Sequence, residues 1–222
     1  GAGDLGAALV QQAFDGVVFT GSTEVAKLIE KRIAQADNDP VLIAETGGQN
    51  VLVSDSSALP EQVVADVLSS AFDSAGQRCS ALRILLLQED VADHYYKMIT
   101  EAINEFSLGD PRLLSTDIGP VIDQEAKQNL ENHKANMRKV ARAYVELEAP
   151  TNGHFVAPAV YLLDNLNQLQ REVFGPILHI VRYKKENLVN VLNEVNAKGY
   201  ALTGGCHSRI RKQMDLVEKH LN

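Results

Sequence analysis

Residues 17–44 read VVFTGSTEVAKLIEKRIAQADNDPVLIA, and this stretch decides the fold class. Val17-Val18-Phe19 is a short apolar run of strand type. Thr20-Gly21-Ser22-Thr23 then supplies a turn and a helix start, after which Val25, Leu28, Ile29 and Ile33 recur at helical spacing on one face. Asp37 to Pro40 breaks that helix, and Val41 to Ala44 reads as a buried strand. The unit is strand, turn, helix and strand again.

The same alternation continues outward. Val51 to Val53 is a second buried strand, separated from the first by Glu45-Thr46-Gly47-Gly48, so Glu45 falls where a strand gives way to a turn. Pro60 opens a helix carrying Val63, Val64, Val67, Leu68 and Ala71 that ends before Gly76. An apolar strand follows over Leu82 to Leu87, then a helix from about Val91 to Phe106, a loop with Gly109-Asp110-Pro111 and a helix from about Asp123 to Val140. Strands around Phe155 to Leu163 and over Ile177 to Tyr183 lead to a helix from about Lys185 to Ala197, a strand near Ala201 and a terminal helix. Strands alternating with helices of this length predict an α/β fold with a mostly parallel sheet flanked by helices. The opening Gly1, Gly3, Gly6 pattern matches a dinucleotide fingerprint formally, but no strand precedes it, so it reads as a connector.

Composition narrows the function. The chain has 222 residues, 45% of them hydrophobic and 23% charged, which suits a globular protein, and no apolar run approaches the length of a membrane span. A net charge of -8 opposes binding to a phosphate backbone, so no nucleic-acid contact is expected. The start, GAGDLGAALV, lacks a signal peptide's basic and apolar regions. With only Cys79 and Cys206, neither a disulfide scaffold nor a metal site is expected, and a cytoplasmic location fits.

Ser74-Ala75-Gly76-Gln77-Arg78-Cys79-Ser80-Ala81 places a thiol on a glycine-containing loop just before a buried strand. A free thiol is only about 3% thiolate at pH 7, so a nucleophilic cysteine needs surroundings that favour the anion. Arg78 is one source of such help. Spacing alone favours a small buried hydrophobe at Cys79 and a solvated or capping role for Glu45, and it fits an N-cap at Ser22 equally well. Cys206, in Thr203-Gly204-Gly205-Cys206, reads as structural.

Four motifs in sequence order break that balance. Phe19-Thr20-Gly21-Ser22-Thr23-Glu24-Val25, Glu45-Thr46-Gly47-Gly48, Gly76-Gln77-Arg78-Cys79 and Glu172-Val173-Phe174-Gly175-Pro176 together resemble the signatures of aldehyde dehydrogenases. The likeness runs over the whole chain, and its wording around Glu45 and Cys79 resembles the glutamate γ-semialdehyde branch, found as a module of bifunctional proline-utilization proteins. The resemblance implies Cys79 as nucleophile and Glu45 as general base, with NAD held by Thr20, Gly21, Ser22, Glu172 and Phe174. Arg78 and Ser80 would face the substrate. Ala26 departs from the family pattern, which often has glycine there.

The resemblance also implies a division into residues 1–44, a remnant of the cofactor domain, and 45–222, a catalytic thiol domain truncated at its C-terminal end. The expected partners are a small aldehyde and the rest of a parent polypeptide, with an upstream FAD-dependent proline dehydrogenase module and possible homo-oligomer formation. By itself the chain is expected to have little or no dehydrogenase activity. Three rivals remain: a general aldehyde dehydrogenase, an acylating dehydrogenase, against which Glu45 argues, and a structural module with an inert thiol.

Overall fold

The computed structural model describes residues 3–35, 38, 40–199 and 202–221. They form two compact units, one within Gly1–Gly47 and one within Gly48–Asn222.

The first unit contains helix α1 (Gly3–Leu9), strand β1 (Gly16–Gly21), helix α2 (Thr23–Ile33) and strand β2 (Val41–Thr46). β1 and β2 pair in parallel, with Thr20 beside Glu45 and Gly21 beside Thr46. Glu45 thus lies within the end of β2. α2 buries Ala26, Ile29 and Ile33, spaced three and four residues apart. The face expected from sequence was partly misplaced, because Val25 is 43% and Leu28 67% exposed. Ala26 sits at a buried helix position, where a methyl group is accommodated. Gly3 and Gly6 lie inside α1, not in a connector; Gly1 is outside the described residues.

The second unit is a six-stranded sheet in the order β5-β6-β7-β4-β3-β8. Its strands are β3 (Val51–Ser54), β4 (Ile84–Gln88), β5 (Ala143–Glu146), β6 (Ala159–Leu163), β7 (Ile177–Tyr183) and β8 (Gly204–His207). Only the β5–β6 pair is antiparallel. The expected strand near Ala201 falls outside the described residues, and β8 is the strand found next to β3. Strand β5 was not foreseen.

Helices α3 (Pro60–Phe72), α4 (Glu89–Ile103), α5 (Gln124–Val140), α6 (Leu188–Asn196) and α7 (Arg211–His220) cover the sheet. Every residue of β4 is buried, as in a strand covered on both faces. Its alternation divides the core: Leu85 and Leu87 join Val63, Val67, Tyr95 and Ile99 of α3 and α4, whereas Ile84 and Leu86 join Leu130, Met137, Leu192 and Val217 of α5, α6 and α7. Capping follows the sequence as well. Pro60 stands in the first turn of α3, and Asp123 caps α5 by accepting from the Ala126 N–H at 2.8 Å.

Candidate active site

α3 ends at Phe72, and the chain then makes a tight left-handed turn. Ser74, Ala75 and Gly76 have φ of 57°, 54° and 64°. For Ser74 and Ala75 this is unfavourable backbone, of the order of 1–2 kcal/mol per residue, and it persists only because surrounding contacts impose it. At Gly76 a Cβ would come within 2.2 Å of the Gly175 carbonyl oxygen, so the position requires glycine for space as well as for φ. The turn delivers Cys79 into an exposed loop, between α3 and β4.

Two buried side chains hold this loop from below. Asn50, immediately before β3, donates through Nδ2 to the carbonyls of Cys79 at 2.7 Å and Ala81 at 2.8 Å. Its Oδ1 accepts from the Thr203 N–H at 3.0 Å. Arg83, immediately before β4, donates through Nη1 to the Gly76 carbonyl at 2.6 Å and through Nη2 to the Arg78 carbonyl at 3.1 Å. These bonds shorten the strand expected over Leu82 to Leu87: Leu82 N–H turns to the Ser70 carbonyl at 3.0 Å, and β4 starts at Ile84. Among the described residues, the N–H groups of Cys79 and Ser80 donate to no protein acceptor, which leaves them open to an oxyanion.

The other residues singled out in this unit lie around the same loop. Glu172 pairs with Arg83 at 3.7 Å. The half-exposed Phe174 ring lies under the Arg83 guanidinium, 5.2 Å from its centroid. Arg78 turns back to the end of α3, donating to the Ser69 carbonyl at 3.0 Å and lying 4.0 Å from Asp73. Ser80 is exposed. In the first unit, Thr20, Gly21 and Ser22 are exposed at the end of β1, where α2 begins, and Ser22 Oγ accepts from Val25 N–H at 3.2 Å. The remaining free N–H groups of that first turn suit an anion such as a pyrophosphate, so these residues fit the expected dinucleotide. Glu45 is exposed.

Cys206 contrasts with Cys79. It is half-buried, and burial together with Asp55 pushes its thiol up to about 11. A cleft of 480 Å³ lies beside it, lined also by Gln49, Val195 and Leu221. That cleft therefore lies beside a thiol that its surroundings hold in the neutral form, which does not suit a nucleophile. Among the described residues no group of three His, Cys, Asp or Glu side chains could hold a metal ion, and no helix is long and apolar enough to cross a membrane.

Sequence reasoning missed the support beneath the loop. His179 on β7 meets the Arg83 carbonyl twice, through its backbone N–H at 3.0 Å and its ring Nδ1 at 3.1 Å. A donating Nδ1 makes Nε2 an acceptor, so His133 Nε2 donates to it at 2.9 Å. Burial drives His179 down to about 3, helped by His133, and drives His133 down to about 4, helped by Arg171. Both rings are neutral in the fold, while an unfolded histidine titrates near 6.5. The unfolded chain therefore takes up protons first, and stability falls as pH drops from about 6.5 towards 4 and 3. Denaturant midpoints should fall between pH 7.5 and pH 5, and fall less in His133→Gln; equal losses in the two proteins would refute the assignment. An Arg just before one apolar strand, β4, and a His inside another, β7, were the available signal.

Known proteins resemble this chain in sequence and in fold. The sequence profile of the aldehyde dehydrogenase family matches residues 1–222. The bifunctional protein PutA of Escherichia coli (strain K12) is 53% identical over 207 residues, covering 88% of this chain and 16% of the relative. A 1-pyrroline-5-carboxylate dehydrogenase of Geobacillus sp. (strain WCH70) is 32% identical over 213 residues, covering 93% of this chain and 41% of the relative. A crystal structure of bifunctional proline utilization A superposes with a TM-score of 0.96 at 51% identity, over 99% of this chain and 22% of that one. A 1-pyrroline-5-carboxylate dehydrogenase from Thermus with bound NAD gives 0.91 at 26% identity, over 100% and 44%. The chain thus spans less than half the length of these relatives. Since the family profile matches residues 1–222, the chain belongs to the aldehyde dehydrogenase family.

Proposed function

We propose that this chain is the nucleophile-bearing part of an NAD-dependent dehydrogenase that oxidises L-glutamate γ-semialdehyde to L-glutamate in proline catabolism, within a larger bifunctional protein. The observation that carries the reading is the exposed Cys79 thiol on a loop bound from below by Asn50 and Arg83. The likeness to PutA and to 1-pyrroline-5-carboxylate dehydrogenases supports the substrate class. An upstream FAD-dependent proline dehydrogenase module belongs to the same proposal, as does a cytoplasmic setting, which the two free thiols suit.

Cys79 thiolate adds to the aldehyde carbon, forming a carbon–sulfur bond and a hemithioacetal oxyanion. The N–H groups of Cys79 and Ser80 stabilise that oxyanion. NAD, when bound, supplies the hydride acceptor. Thr20, Gly21 and Ser22 would hold its phosphates at the start of α2, Glu172 would bond the ribose and Phe174 would flank the nicotinamide. Loss of hydride leaves a thioester on Cys79. Glu45 then takes a proton from water, the hydroxide adds to the thioester carbon, and the carbon–sulfur bond breaks to release the acid and restore the thiol. Arg78 and Ser80 border the substrate.

Substrate preference tests the assignment. In the full-length protein, kcat/KM for glutamate γ-semialdehyde should exceed that for propanal by about a hundredfold or more, since sites built for polar substrate groups reject analogues lacking them. Equal values would leave a general aldehyde dehydrogenase.

A further inference from the structure

Arg83 is only 1% exposed, yet it carries a guanidinium. A buried cation of this kind is retained when its charge and most of its donors are answered; here the two terminal nitrogens are answered from two separate loops, while Nε has no hydrogen-bond partner among the described residues. From the nucleophile loop come the Gly76 carbonyl at 2.6 Å and the Arg78 carbonyl at 3.1 Å. From the loop before β7 come the Gly175 carbonyl at 3.2 Å, the Glu172 carboxylate at 3.7 Å and the Phe174 ring at 5.2 Å. The loops also touch directly, as the 2.2 Å gap between a Gly76 Cβ and the Gly175 oxygen requires. The backbone of Arg83 is itself anchored, since its carbonyl is bound by His179.

We propose that Arg83 is a positioning residue that locks the Cys79 loop to the Glu172–Phe174 loop, so that a disturbance of either is felt at the other. The inference rests on reading Cys79 as the nucleophile and Glu172 and Phe174 as cofactor contacts. Its consequence is that thiol geometry and cofactor grip are set together. Lysine cannot substitute, because one ammonium lacks the planar fork that spans three carbonyls and a carboxylate. Burial lowers Arg83 to about 10, opposed by Glu172 and then by Cys79, so the guanidinium stays charged at neutral pH.

The test uses the full-length protein. Glu172→Gln keeps the side chain's size and removes the charge facing Arg83. With no cofactor present, the rate at which iodoacetamide alkylates Cys79, read by peptide mass, should change about threefold or more although the substitution is in the other loop. Arg83→Lys should lower that rate and raise KM for NAD, each about tenfold, and the two substitutions together should raise KM by less than the product of their separate effects. A Glu172→Gln protein of unaltered thermal midpoint and unchanged alkylation rate would overturn the proposal, and decides alone if Arg83→Lys does not fold. The nucleophile assignment fails separately: Cys79→Ala would then retain turnover while the Glu172→Gln effect on alkylation persisted.

Discussion

Cys79→Ala lowers dehydrogenase turnover by about ten-thousandfold or more and leaves folding stability within about 0.5 kcal/mol of the parent. The first magnitude follows from removing the atom that forms the covalent bond; with no sulfur there is no hemithioacetal from which hydride can leave, and loss of a nucleophile in comparable covalent enzymes is of this size. The second follows from position. The thiol is exposed, and the bonds that shape its loop run to backbone carbonyls, which an alanine retains. Cys206→Ala separates the two cysteines: it lies among partly buried side chains that pack on the core and should affect stability more than rate. The check is NADH formation by the two variants beside their denaturation curves. Turnover surviving in Cys79→Ala would remove the covalent mechanism.

Glu45→Gln lowers steady turnover by about a hundred- to ten-thousandfold but spares the first turnover. Hydride leaves before water is needed, so a protein without the base should still make one NADH per active site and then stall as the thioester. Rapid mixing with absorbance detection resolves the burst from the steady phase. Loss of both phases would place Glu45 before hydride transfer, and an unaltered steady rate would leave it as an exposed residue at the end of β2.

The long, strongly patterned elements were legible in the sequence. β7 runs Ile177–Tyr183, as its mostly apolar run indicated, and α5 starts after the Asp123 cap with its apolar positions at helical spacing. β5 was missed because Ala143-Tyr144-Val145-Glu146 is a four-residue edge strand whose exposure alternates only weakly, and its partner is sixteen residues on. The α2 face was misread because apolar spacing at Val25 and Leu28 does not say which side meets the sheet. Arg83 shows the main limit. Beside a cysteine motif a charged residue reads as punctuation, whereas its meaning depends on carbonyls at positions 76, 78 and 175 that only the fold assembles. Cys79 stood out because its motif appeared with three others in order; Asn50 and the His133–His179 pair had no such company.

Peptide mass analysis of the thioester tests the central claim most directly. The full-length Glu45→Gln protein, quenched in acid after one turnover with glutamate γ-semialdehyde and NAD, should carry a glutamyl group on the peptide containing Cys79, close to one per site. An unmodified Cys79, or the acyl group on Cys206 instead, would contradict covalent catalysis at this loop.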